Sequence, residues 1–166
     1  MKRKKLTASM IALVMSVSLP MTTYAANWYL EDGSVTVNAD NSGQTVTQGG
    51  TSTPDEAPVI TQRESSVETG NTIAISTSDN ATANVTIKDI NIKSSKDAID
   101  VTGSSSANIT LEGDNKIFSE TGSALHVSDG NVTINGSGSL KAEIQDEPFG
   151  YNHNAKIGSH EKEDMS

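Results

Sequence analysis

Asn84-Val85-Thr86-Ile87, Asn108-Ile109-Thr110-Leu111 and Asn131-Val132-Thr133-Ile134 are three near-identical tetrapeptides, 24 and 23 residues apart. A second series, Thr72-Ile73-Ala74-Ile75, Ala98-Ile99-Asp100-Val101 and Ala124-Leu125-His126-Val127, recurs every 26 residues. A third is shorter: Ile90-Asn91-Ile92, Asn115-Lys116-Ile117 and Gly138-Ser139-Leu140. Each segment alternates apolar with polar residues, is too short for a helix, and is bounded by Gly, Ser, Asn and Asp, as turns require. Three strands per period describe the coil of a parallel β-helix, in which equivalent side chains of successive coils stack at about 4.8 Å. Aligned by their text, the inward stacks are Val85/Ile109/Val132, Ile87/Leu111/Ile134, Ile73/Ile99/Leu125, Ile75/Val101/Val127 and Ile92/Ile117/Leu140, all aliphatic. The expected fold is therefore an all-β solenoid of about four to five coils.

Towards the N-terminus, Val35-Thr36-Val37 and Val59-Ile60-Thr61 extend the first series, while Asn38 to Glu56, rich in Gly, Thr, Ser and Asp, reads as a loop. Trp28, Tyr29 and Leu30 are expected to plug the open end of the apolar core, because a bare terminal coil exposes apolar side chains and unpaired edges. Residues 26–57 are thus an N-terminal cap and irregular first coil, 58–160 the β-helix and 161–166 a polar tail. Towards the C-terminus, Asp146-Glu147-Pro148-Phe149-Gly150-Tyr151 interrupts the last coil before Ala155-Lys156-Ile157-Gly158 supplies its third strand. Either the polar tail covers that coil or further coils follow beyond Ser166, and the lack of any amphipathic capping segment favours the second.

The chain opens Met1-Lys2-Arg3-Lys4-Lys5, continues into a short apolar run and meets Pro20. Basic, apolar and small-residue regions in that order form a signal peptide, too short to span a bilayer. Thr23 and Ala25 satisfy the small-residue positions for cleavage after Ala25; cleavage after Ala26 would place bulky Tyr24 there instead. Removing the four basic residues takes the formal charge from −9 to −13. Such a chain is a poor partner for nucleic acid or anionic lipid, and for a polyanionic sugar unless calcium bridges the two. It contains no cysteine, so neither disulfides nor thiolate chemistry is available.

The run Ala107-Asn108-Ile109-Thr110-Leu111-Glu112-Gly113-Asp114-Asn115, with Gly136-Ser137-Gly138-Ser139-Leu140-Lys141-Ala142 and Ala155-Lys156-Ile157-Gly158, resembles secreted bacterial proteins described as carbohydrate-binding domain-containing. The resemblance covers roughly residues 28 to 160 and implies a pectate-lyase-like parallel β-helix. Right-handedness follows from it and from the general preference of parallel crossovers. It carries no site residues across.

Candidate sites must therefore come from the coil pattern. On the outward side of the second series Asp100 and His126 fall one coil apart, with Lys156 next in line, a column suited to acid–base chemistry; its plain alternative is a solvated face. Asp97, Glu120 and Asp129 lie at turns, where capping explains them. Asp89, Glu112 and Asp114 meet at one corner and are the candidate calcium ligands, without the nonapeptide repeat that calcium-binding solenoids carry. Sugars are commonly held by aromatic faces. Phe149 and Tyr151, with Asn152, occupy the inserted loop and are the candidate carbohydrate contacts, whereas Phe118 is expected to pack beside Ile117 at a corner. Two outward ladders, Asn84/Asn108/Asn131 and Thr86/Thr110/Thr133, extended by Ser34 and Thr36, resemble the flat threonine arrays of ice-binding solenoids, though β-branched residues suit any exposed strand. The Asn-x-Ser/Thr matches follow from the coil pattern and are not read as glycosylation sites.

Together these features lead to the expectation of a secreted or cell-surface, non-catalytic module for polysaccharide or surface glycan, without a resident cofactor unless calcium is bound. The alternative is a fragment of a β-helical polysaccharide lyase or glycoside hydrolase. Ice binding and a purely structural stalk come after these.

Overall fold

The computed structural model describes residues 25–78, 80–145 and 157–158. The signal segment, Phe149, Tyr151, Asn152 and Lys156 lie outside the described residues.

The fold is all-β, with one 3-10 turn, Leu30–Asp32, and no α-helix among the described residues. The strands stack into a parallel β-solenoid. Its first sheet holds β1 (Asn27–Tyr29), β5 (Val59–Thr61), β7 (Thr82–Lys88), β10 (Ser106–Glu112) and β13 (Asn131–Gly136), all parallel. The second holds β8 (Asn91–Ser94), β11 (Asp114–Ser119) and β14 (Ser139–Ile144). The third runs through β2 (Val35–Asp40), β6 (Ile73–Thr77), β9 (Ile99–Gly103), β12 (Leu125–Ser128) and β15 (Ile157–Gly158). Three turns, beginning at β7, β10 and β13, contribute a strand to every sheet. The two before them are partial; in one, a single bridge from Thr69 to Ile92 stands where a second-sheet strand would be.

The core is the set of inward rows. In the third sheet Ile73, Ile99 and Leu125 are in register beside Ile75, Val101 and Val127, as the 26-residue spacing predicts, and Val35 and Val37 join these rows. Ile73, Ile75, Ile99 and Leu125 are at most 1% exposed, and burying a side chain of this size contributes about 1.5–3 kcal/mol. Close coil packing also dictates backbone. At Gly103, φ is +108° and a Cβ would lie 1.9 Å from the Thr77 carbonyl oxygen, so only glycine fits.

In the first and second sheets the last turn departs from the text alignment. Asn131 lies beside Ser106, Val132 beside Ala107 and Ile134 beside Ile109, which makes the rows Val85/Ile109/Ile134 and Ile87/Leu111/Gly136. Likewise Ile117 meets Ala142, and Leu140 meets Asn115. Both shifts are two residues. Side chains alternate with period two, so such a slip leaves each apolar residue on its expected face, and hydrophobicity cannot tell the registers apart. The Asp129-Gly130 turn sets the register by delivering the Asn131 amide to the Ser105 carbonyl at 3.0 Å.

The largest correction concerns residues 38–56. They are not a loop: β3 (Gly43–Gln48) and β4 (Thr51–Pro54) form an antiparallel hairpin added to β2, on the side away from β6. Gly49 and Gly50 both have positive φ, which suits a two-residue hairpin turn. Val46 is fully buried and closes this end of the core. Trp28 and Tyr29 belong to the terminal rung of the first sheet, where Trp28 lies beside Ile60 and packs against the core, and Leu30 is buried within it. The insertion also moves Val35 into the third sheet opposite Ile73, so Ser34 and Thr36 do not extend the first-sheet ladders.

Amide side chains hold these N-terminal turns. Gln44, 2% exposed, lies beside β7 where β5 has not yet begun: its Nε2 donates to the Asn84 carbonyl at 3.1 Å and its Oε1 accepts the Asn84 amide at 2.8 Å. Gln48 Nε2 donates to the carbonyls of Tyr29 and Gly33, each at 2.8 Å, and Asn71 Nδ2 to that of Leu30 at 2.8 Å.

Candidate functional site

The outer face of the second sheet is built by the residues that alternate with its core row. Ile92, Ile117 and Ala142 point inward, so Asn91/Lys116/Lys141 and Lys93/Phe118/Glu143 form two parallel outward rows. Phe118 therefore faces outward from the middle of the sheet, half-buried, and does not pack beside Ile117 at a corner. With Glu68, Asn91, Lys93, Lys116 and Glu143 it lines an open cleft of about 210 Å³. Lys93 Nζ lies 5.8 Å from the ring centroid and 3.7 Å from Glu68 Oε2. Lys141 Nζ pairs with Glu143 Oε2 at 3.0 Å. An otherwise acidic chain thus sets an aromatic ring among two lysines and two glutamates, a combination of stacking surface and hydrogen-bonding groups.

On the third sheet, Asp100 and His126 are in register on adjacent rungs. His126 Nδ1–H donates to Asp100 Oδ1 at 2.8 Å, the contact expected from the 26-residue spacing. The rung beyond His126 is Gly158, and Lys156 lies outside the described residues. Asp97 joins the pair instead: its Oδ2 is 3.9 Å from His126 Nδ1, and its Oδ1 accepts the Ser123 amide. The capping role expected of Asp97 is real, and its second oxygen is what brings it into the cluster. Spacing alone pairs only residues one full coil apart; Asp97 lies in the turn before the strand. Asp97, Asp100 and His126 each offer one atom within 4.8 Å of the others and are the group among the described residues that could hold a metal ion.

The corner acids meet no such geometry. Glu112 Oε2 pairs with Lys88 Nζ at 3.1 Å, Asp89 Oδ1 accepts the Asp114 amide at 3.1 Å, and Asp114 Oδ1 accepts Ser139 Oγ–H at 2.9 Å. Each carboxylate fastens one coil to the next.

The first-sheet ladders are shorter than their text. Asn108 Nδ2 donates to Asn84 Oδ1 at 3.0 Å, but the next residue in that row is Thr133, not Asn131. Thr86 and Thr110 are in register with Asn135, and Val59 precedes them. Two adjacent threonines do not make a flat array. Near β1, Tyr29 is covered by Arg63, whose Cζ is 4.1 Å from the ring centroid. Arg63 also donates to both oxygens of Asp32, at 2.9 and 2.7 Å, and this hydrogen-bonded guanidinium holds the Asp32 carboxyl below the usual carboxylate range. Both rings thus carry a cation, but Arg63 sits closer to Tyr29 than Lys93 does to Phe118.

Compared with known proteins, the chain matches no family model, no curated protein and no solved structure.

Proposed function

We propose that this chain is a secreted or cell-surface, non-catalytic module that binds polysaccharide or surface glycan on the outer face of its second sheet. The observation that carries the reading is Phe118. A half-buried ring on the outer face of a regular sheet lies outside the core, and flanked by Asn91, Lys93, Lys116 and Glu143 it offers a pyranose an apolar surface and several hydrogen-bonding groups at its rim. The parallel β-solenoid agrees with this reading, as do the expected signal peptide and the resemblance to carbohydrate-binding domain-containing proteins. The inserted loop with Phe149, Tyr151 and Asn152 is a second contact surface within the same proposal.

One observation favours an enzyme instead: the Asp97/Asp100/His126 cluster has the residue types of acid–base chemistry. A glycan array run beside reducing-sugar and unsaturated-product assays separates the two. The binding-module reading predicts retention of at least one polysaccharide with no turnover. Turnover that disappears in Asp100→Ala would replace it with a lyase or hydrolase.

A further inference from the structure

Asp55 is 3% exposed, yet among the described residues no Lys, Arg or His pairs with it. It is surrounded by N–H groups: Oδ1 accepts the Ala57 amide at 3.1 Å, and Oδ2 accepts Trp28 Nε1–H at 2.8 Å and the Ala26 amide at 3.2 Å. Its backbone is fixed by β3, the Asp55 amide donating to the Gln44 carbonyl at 3.1 Å and Gln44 Nε2 to the Asp55 carbonyl at 2.8 Å. Ala26 is fixed as well, its carbonyl accepting the Val59 amide at 2.9 Å. Between Leu6 and Gln62 the sequence has no basic side chain at all, although it includes Glu31, Asp32, Asp40, Asp55 and Glu56. A buried carboxylate without a countercharge is costly. The group nearest to supplying one is the nitrogen of Ala26, the residue that cleavage after Ala25 makes the first of the chain.

We infer that Asp55 is a built receptor for the processed N-terminus. A signal peptidase adds water across the Ala25–Ala26 amide and the C–N bond breaks. Ala25 leaves with the carboxylate, and the Ala26 nitrogen takes up a proton to become an α-ammonium that pairs with Asp55 Oδ2. Processing thereby converts a neutral N–H···carboxylate contact into a partly buried ion pair, which locks β1 onto β5 and the hairpin onto the end of the solenoid. The inference rests on the export proposed above, but not on carbohydrate binding.

The test uses the full chain expressed in a secreting bacterial host. Intact mass and N-terminal sequencing of the exported protein should give Ala26 as the first residue. A chain that is never exported would overturn the export reading and this pairing together, while an exported chain that begins at Asn27 or elsewhere would overturn the pairing alone. Melting of the exported protein, before and after selective acetylation of its α-amino group, then reads the ion pair. Acetylation should lower the Tm by about 5 °C or more and should shift exported Asp55→Asn much less. An unchanged Tm in the wild-type protein, or equal shifts in both, would show that Asp55 serves only Trp28 and Ala57. If Asp55→Asn does not fold, the wild-type acetylation shift decides by itself.

Discussion

The turns from β7 to β12 and those from β1 to β6 are made of the same solenoid geometry but held by different chemistry. In the first group, rows of Ile, Val and Leu stack at regular spacing, with Ser94, Asn115 and Ser119 as the buried polar members of β8 and β11. In the second, β1 and β5 are only three residues long, the second sheet is reduced to a bridge at Thr69, and Gln44, Gln48, Asn71 and Asp55 fill the vacant hydrogen-bonding positions. Repetition lets hydrophobic stacking carry a coil. Where repetition ends, each unpaired backbone group needs its own partner.

Substitutions can break that contrast at several strengths. Ile99→Ala, in the middle of the row Val35/Ile73/Ile99/Leu125, removes buried volume from two neighbours at once and should cost about 2–5 kcal/mol in denaturant unfolding. Gln44→Ala leaves the Asn84 amide and two carbonyls without their partner and should cost about 1–3 kcal/mol. Hydrogen exchange should then quicken at Asn84 while Ile109 stays protected; equal loss at both would mean that the two groups of turns unfold as one. Asn108→Ala, which removes one exposed amide contact to Asn84, should cost only about 0.5 kcal/mol.

The smallest effect belongs to the exposed Asp32–Arg63 pair and appears only as a pH dependence. Asp32 is held below the usual carboxylate range by Arg63, so its contribution is present above about pH 4 and is lost as pH falls below that range, where the folded carboxyl finally takes its proton. The Tm difference between wild type and Asp32→Asn should therefore be seen at neutral pH and close in acid. A difference that grows on acidification would contradict the assignment.

Legibility in the sequence follows the same division. The 26-residue series placed Ile73, Ile99 and Leu125 in register and brought Asp100 to His126, because a repeat of constant length fixes both core and surface. Text alignment sets Val132 and Leu140 two residues away from their true neighbours, since alternation is blind to a slip of two. The hairpin is hard to read because one of the two buried residues of β3, Gln44, is polar and buried through hydrogen bonds, which leaves Val46 as its only buried apolar residue. The Gly49-Gly50 pair between Thr-rich segments was the available signal. Phe118 was misplaced for a simpler reason: it follows Ile117 directly, and in a strand, neighbours in sequence lie on opposite faces.

The proposed carbohydrate face stands on that last point, and one measurement addresses it directly. The polysaccharide best retained on the array is titrated calorimetrically onto the exported wild-type protein and onto Phe118→Ala, with unchanged circular dichroism as the check on folding. Loss of the stacking ring should weaken binding about tenfold or more. Equal affinity for the two proteins would contradict the assignment of the second-sheet face as the binding surface.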